Sequence, residues 1–373
     1  MSQPYRVAVW RDLWLSDTET FVRDQLVSLE RWEPFLVGLR RRPNVLGVEP
    51  NLAPLPAHQA RRAKVLGSLG VRRLLLDGLR RSGARLLHAH FGTSAVHALP
   101  VARAAGLPLV VTFHGHDVTS TPWAPWGMGR EYRRRLRQIF AHAERLVAVS
   151  EFIAGRLLAL GAPEGKVVVL PIGIDTAAAR AAQVDRSGRS GVLFLGRLVP
   201  KKGVDDLLEA FALLPEDLRR STPLRIVGGG HERERLERLA AARGLPAQFL
   251  GHVPPAEAAA LLRSAQVLVA PSRTAPDGDS EGFGMVFLEA AAWGTPQVAY
   301  AHGGVPEAVL DGVTGLLAPE GDVPALAERV ARLLRDRALA ERLGLQGRER
   351  ALREFDVRDR TSALEKLYDE VAA

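Results

Sequence analysis

Cysteine is absent from the 373 residues. No disulfide can staple the fold, no thiolate can hold a metal, and no cysteine nucleophile exists. Long apolar runs are missing as well: nothing approaches the ~18 uninterrupted apolar residues of a membrane-spanning helix. The N-terminal stretch MSQPYRVAVWRDLW has no apolar signal core. Short-period repeats, low-complexity tracts and the usual zinc-ligand spacings are lacking too. These absences lead to the expectation of a cytoplasmic protein from a reducing compartment. At this length a single core rarely keeps growing, so two domains are expected.

What is present is ordinary in bulk, with 47% hydrophobic and 25% charged residues, but not in distribution. The net charge is +8, and the chain through Asp175 holds 24 Lys and Arg against 14 Asp and Glu. The remainder holds 26 against 28. A basic first half and a near-neutral second half point to different partners for the two.

Short apolar runs alternate with amphipathic segments. Strands are expected at 5–10, 85–91, 107–114, 145–150 and 167–174, with helices at Thr20–Trp32, Ala95–Ala105 and Arg130–His142. The rhythm restarts at GVLFLGRL (191–198), followed by a helix over 203–214, strand PLRIVGGG (223–230) and a helix over 231–243. AQFLGHV (247–253), QVLVAPS (266–272) and PQVAY (296–300) continue it, and helices run to the end. The polar, small-residue segment 175–190 reads as the linker. This pattern predicts an α/β protein of two doubly wound, Rossmann-like domains facing a cleft, at 1–175 and 176–355. The terminal helix, 356–373, is expected to pack back toward the first domain.

The most informative stretch is EGFGMVFLEAAAWGTPQVAY, residues 281–300. Gly282 and Gly284 free the backbone to approach a ligand, and a helix starting near Gly284 would aim its first amides at an anion. Glu281 lies at that mouth. Glu289 falls roughly 12 Å farther along if the run is helical, too far for the carboxyl pair of a glycosidase, which stands ~5–9.5 Å apart. The pair reads instead as two grips on a long ligand, one on a sugar hydroxyl and one on a ribose. The plainer reading is a solvated helix with an acidic start.

Upstream, GRLVPKKG (196–203) puts Arg197 and Lys202 at the carboxyl end of a strand, where doubly wound sheets bind ligands. Two cations there can neutralise a pyrophosphate. Lys201 competes with Lys202 for that role, and solvated surface cations are the bland alternative. VTFHGHD (111–117) ends an apolar strand at His114, available to a sugar hydroxyl, a phosphate or a turn carbonyl. His88 and His90 are assigned to opposite faces of their strand, one of them in the core. IVGGGHERERLERL (226–239) resembles a degenerate dinucleotide fingerprint, with Arg233 in place of the third glycine.

TPWAPWGMGREYRRRLRQ (121–138) and the Arg/Leu stretch 58–81 have the composition of interfacial segments on anionic lipid. A core-striped helix with a basic outer face explains them equally well. The interleaved aromatic and basic pattern of a nucleic-acid surface is missing, so no nucleic-acid partner is expected.

Together these residues resemble the retaining nucleotide-sugar glycosyltransferases of family 4, which have the two-domain GT-B fold. Glu281 and Glu289 match the family's Glu-x7-Glu. GRLVPKKG, LPIGID (170–175), FLGHV (249–253) and GGVPEAV (303–309) fall in the family's order. The resemblance implies that Arg197 and Lys202 hold the donor pyrophosphate. It gives the donor sugar to Glu281, with the amides from Gly282 and Phe283 through Gly284, Met285 and Val286, and the ribose to Glu289. The base would lie near Gly229 and Val253, and His114 would meet the donor sugar from the first domain. Members generally need no metal or bound cofactor, and the departing phosphate is held to deprotonate the acceptor. A UDP-sugar is the first expectation for the donor, a GDP-sugar the second. The acceptor is a lipid-linked glycan at the inner membrane face or a small aglycone. Two departures stand out: WRDLWLSDTETF (10–21) replaces the usual Gly-Gly loop, and Ile172 replaces an asparagine. A nucleotide-sugar epimerase, using Asp117, Glu19 and Glu281, and a catalytically silent binding protein are the alternatives.

Overall fold

A computed structural model describes residues 5–16, 19–41, 46–56, 69–182 and 188–373. The chain forms two units: residues 1–175 with 357–373, and residues 176–356. Each is built on a six-stranded parallel sheet.

In the first unit, β1 (Tyr5–Trp10), β2 (Trp32–Val37), β5 (Leu86–His90), β6 (Leu109–Phe113), β7 (Arg145–Ala148) and β8 (Val167–Val169) form the sheet. Their order is β2-β1-β5-β6-β7-β8. Two short strands, β3 (Arg40–Arg41) and β4 (Leu55–Pro56), pair separately. Strands β5 and β6 are buried along their whole length, as expected when helices cover both faces of a parallel sheet. Where a helix was expected over Thr20–Trp32, the structure has a helix at Thr20–Val27 and then β2. Pro34 hides β2 in the sequence; β2 is an edge strand, where a missing N–H is tolerated.

The terminal helix, Val357–Ala372, belongs to this first unit. Leu364, Leu367 and Tyr368 enter the core with Val7, Val9, Trp14, Trp32 and Val110. The carboxylate of Glu365, 2% exposed, accepts the backbone N–H groups of Glu30, Arg31 and Trp32 at 2.9, 2.7 and 3.0 Å. Asp369 accepts from the Trp32 indole at 2.9 Å. The helix thereby fixes the start of β2, which has a sheet neighbour on one side only.

In the second unit, β9 (Val192–Leu195), β10 (Leu224–Val227), β11 (Ala247–Gly251), β12 (Val267–Val269), β13 (Gln297–Tyr300) and β14 (Leu316–Ala318) are ordered β11-β10-β9-β12-β13-β14. Strand β9 pairs with β10 on one side and β12 on the other, so the strand order reverses between β9 and β12. Ligands of doubly wound sheets bind at the carboxyl ends of strands flanking such a reversal. Edge strand β14, three residues long, gives no periodic signal and was not expected. The segment read as a linker contains a helix at Ala177–Ala181. Arg189 anchors its far end on the carbonyls of Trp293 and Gly294 at 2.6 and 2.9 Å.

Replacing Glu365 by Ala takes the acceptor from three backbone donors at once, one of them on buried Trp32, and we expect a loss of about 2 kcal/mol. Glu365→Gln should lose less, because an acceptor remains. Chemical denaturation followed through the tryptophans, three of which are buried in this unit, reads the difference.

Candidate active site

Two loops meet where the second sheet reverses its order. After β9 the chain forms a turn at Pro200–Lys202 and passes through Gly203 at φ +62°. A Cβ on Gly203 would lie 2.1 Å from the Pro271 carbonyl oxygen, in the loop that follows β12. Only glycine permits this approach. The consequence is that Lys202 reaches Glu281 and forms an ion pair with it, both side chains being largely buried (15% and 13% exposed). The Ser272 hydroxyl donates to the same carboxylate at 3.3 Å. Lys201 turns to a different partner, Asp279, at 3.0 Å. Of the two competing lysines, Lys202 therefore faces Glu281.

Burial alone would raise the Glu281 carboxyl. The charges of Lys202 and Lys201, with hydrogen bonds from Lys202 and Ser272, overcome it and bring the group from 4.5 down to about 2. Glu281 is a carboxylate at any physiological pH. Arg197 stands exposed nearby in sequence, and its guanidinium has no partner among the described residues.

Glu281 precedes the helix Met285–Ala292 by four residues, so the helical spacing to Glu289 does not apply: only Glu289 lies on the helix. Gly284, at φ +95°, caps it without a side chain. Among the described residues the backbone N–H groups of Phe283, Gly284, Met285 and Val286 find no acceptor. They form the open helix start that favours an anion.

A third loop, after β13, holds this mouth in place; its segment GGVPEAV (303–309) was read in the sequence only for its place in the family's order, without a role. A Cβ on Gly303 would lie 2.4 Å from the Glu281 carbonyl oxygen, and one on Gly304 2.2 Å from that of Gly282. The Gly304 N–H donates to the Glu281 carbonyl at 3.0 Å. The Glu281 N–H donates to Nε2 of buried His302 at 3.3 Å. That leaves the His302 Nδ1–H for Glu320, 3.0 Å away. A Gly-Gly pair directly after a strand was the available signal; a lone histidine before it carried none.

The glycines of 226–239 have a packing role. A Cβ on Gly228 would lie 1.9 Å from the Gly196 carbonyl oxygen, and one on Gly230 2.1 Å from that of Leu198. They let the loop after β10 lie against the loop that carries Arg197. Gly229 faces the His252 ring, and Val253 follows half-exposed at the end of neighbouring β11.

In the first unit, Arg11, Phe91 and His114 follow β1, β5 and β6, three neighbouring strands. The His114 ring lies between Phe91 and Phe21, at centroid distances of 4.4 and 5.0 Å. Its Nε2 meets His90 Nδ1 at 3.2 Å. His88 and His90 share one face, their rings 4.5 Å apart. The assignment to opposite faces fails because residues two apart in a strand point the same way. Both are buried. His88 bonds the hydroxyls of Tyr368 and Thr112 at 2.6 and 2.7 Å, and burial pushes it down to about 3. Burial, then the Arg11 charge, holds His114 well below the imidazole range, so it is neutral. Asp117 accepts N–H groups of Gly92, His114 and Gly115, and Glu19 accepts Arg11 and the Ser16 N–H. Both are committed to structure, which leaves neither free as the acid or base of an epimerase.

Two family models match the chain: "Glycosyltransferase Family 4" over residues 26–178 and "Glycosyl transferases group 1" over residues 175–350. A relative from Mycolicibacterium smegmatis is 39% identical over 294 residues, 74% of this chain and 75% of its own. It is a GDP-mannose-dependent α-(1-6)-phosphatidylinositol monomannoside mannosyltransferase. The chain belongs to the family 4 glycosyltransferases. A glycogen synthase of Mycobacterium tuberculosis is 34% identical over 76% of this glycosyltransferase and 68% of its own length. HepE of Anabaena, crystallised with UDP and glucose, superposes with a TM-score of 0.77 at 19% identity, over 98% of this chain and all of HepE. That likeness establishes the GT-B fold.

Because the Glu281 carboxyl is depressed on folding, its contribution is present above 4.5 and fades as pH falls toward 2. It amounts to about 3 kcal/mol at neutral pH. Glu281→Gln should flatten that part of the acid-denaturation profile of the glycosyltransferase. A profile unchanged by the substitution contradicts the assignment.

Proposed function

We propose that this glycosyltransferase transfers a sugar from a nucleoside-diphosphate sugar to a hydroxyl with retention of configuration, without a metal. The observation that carries this reading is the meeting of Lys202, Glu281 and the open start of the helix Met285–Ala292 at the β9/β12 reversal. A diphosphate placed there would meet Lys202, the exposed Arg197 and the amides from Phe283 to Val286. Ionised Glu281 has two tasks: it holds Lys202 on station, and it offers acceptor oxygens to a sugar hydroxyl. Glu289, farther along the same helix, takes the ribose, and the base lies by Gly229 and Val253. As the glycosidic bond breaks, charge grows on the leaving phosphate, and these fixed groups stabilise it more than they do the bound donor. The departing phosphate can then accept the proton of the incoming hydroxyl on the same face.

For the donor we put a GDP-sugar first and a UDP-sugar second. The GDP-mannose dependence of relatives at 39% identity supports that order. HepE, with UDP, is a likeness in fold. For the acceptor we put a glycan carried on a membrane lipid first, which places the enzyme at the cytoplasmic membrane face. Among the described residues no helix is long and apolar enough to cross a membrane.

Lys202→Ala and Arg197→Ala should each lower kcat by about 10²–10³-fold, the cost of removing one group that stabilises transition-state charge. Thermal unfolding should rise with GDP and GDP-mannose more than with UDP and UDP-glucose, by mass action. The anomeric proton of the product, read by NMR, decides retention. Undiminished turnover in both variants at saturating donor contradicts the phosphate assignment.

A further inference from the structure

The first unit carries an exposed aromatic turn that no part of the transfer reaction uses. Between the short turn at Thr121–Trp123 and the helix Met128–His142, Trp126 is 94% exposed, with Trp123 and Met128 each 58% exposed. Three exposed apolar side chains within six residues form a cluster, unlike the single exposed residues that are normal on a protein surface. The turn is not loose. Trp126 sits at φ +59°, a region disfavoured for a tryptophan. The turn is tied by the Met128 N–H to the Pro125 carbonyl at 3.2 Å and the Gly129 N–H to the Ala124 carbonyl at 3.1 Å. A Cβ on Gly129 would lie 2.5 Å from the Pro122 carbonyl oxygen, so helix and turn are in backbone contact. Arg133 stacks over Trp123 at 4.8 Å. The structure thus holds Trp126 outward at the tip of a fixed, convex knob.

Beside the knob lies a surface hollow of about 360 Å³, lined by Gly127, Arg130, Glu131, Arg134 and Arg137. Arg130, Arg134 and Arg137 are exposed at i, i+4 and i+7, on one face of the helix. The single acid, Glu131, is already held by Arg134 and Arg135, each at 2.8 Å. Arg130 and Arg137 have no partner among the described residues. Of the second segment read as interfacial, residues 58–68 lie outside the described residues; its described part, the helix Leu69–Ser82, exposes further arginines.

We propose that this knob and hollow form an anionic-lipid site: the phosphate of an anionic lipid headgroup sits among Arg130, Arg134 and Arg137, with Trp126 and Met128 at the headgroup–acyl boundary. The inference deepens the reading of a membrane-borne acceptor and rests on it. A bilayer suits the geometry better than an acidic protein. A convex apolar tip enters a deformable interface directly, whereas a folded partner would need a pocket matched to it. Tryptophan favours that boundary, and each nearby arginine adds attraction to an anionic surface.

The test uses the full chain with phosphatidylcholine vesicles, with and without phosphatidylglycerol, and with neither nucleotide-sugar nor acceptor. Lipids brominated near the headgroup should quench wild-type emission only when phosphatidylglycerol is present. Trp126→Ser should remove most of that quenching and weaken vesicle binding about tenfold. Arg130→Ser with Arg137→Ser should weaken binding to anionic vesicles about 25-fold, near fivefold per charge. Binding to neutral vesicles equal to that on anionic ones, absence of quenching, or Trp126→Ser binding like wild type overturns the proposal. Transfer to a soluble acceptor, measured separately, should be the same in these variants. Failure of both GDP and UDP, free or as nucleotide-sugars, to raise the unfolding temperature would sink the enzymatic reading while leaving the lipid result standing.

Discussion

The ion pair between Lys202 and Glu281 is the contact on which the site depends. A lysine is a flexible point charge, and free in solvent it would add little to one particular phosphate. Here Gly203 allows the loop after β9 to press against the loop after β12, and the carboxylate fixes where the ammonium stands. The pair is largely withdrawn from water, so its attraction is screened less than that of a surface pair. Two further loops serve the same end. Gly303 and Gly304 clamp the backbone of Glu281 and Gly282, and His302 fixes the Glu281 amide. The site is therefore built from backbone-to-backbone approaches that only glycine allows, with charge placed on top.

Much of this was legible in sequence, for identifiable reasons. Buried parallel strands read as continuous apolar runs, so β5, β6, β9 and β13 stood out, shorter than expected by one residue in β13 to four in β9. The elements that escaped lie at the edges of the sheets. Pro34 disguises β2, and β14 is too short to show a period. The meeting of Glu281 and Lys202 was legible because glycines and strand ends surround them; Arg197 makes no contact with either among the described residues. Ser272, Asp279, His302 and Glu320 were not, because their partners are distant in sequence and no spacing announces them. The histidine pair shows the opposite failure. The strand was right, but two residues along it make one face, and His88 serves the core through Tyr368 of the terminal helix.

That helix explains how the two halves of the sequence differ in construction. The second unit is continuous in the chain, whereas the first is completed by residues 357–373. Buried Glu365 substitutes for a sheet neighbour at the start of β2 by accepting three consecutive amides. The basic charge of the first unit has a different origin from the cations of the second. Lys201 and Lys202 are matched to carboxylates, while Arg130 and Arg137 face solvent unmatched.

The most direct test of the central claim is a double-mutant cycle of Lys202→Met and Glu281→Gln, read by calorimetric titration with GDP. If the carboxylate places the ammonium for the diphosphate, the two losses in binding free energy will not add, and the coupling will be about 1 kcal/mol or more. Additive losses would mean that lysine and glutamate act independently, and the account of a carboxylate-held cation would be wrong.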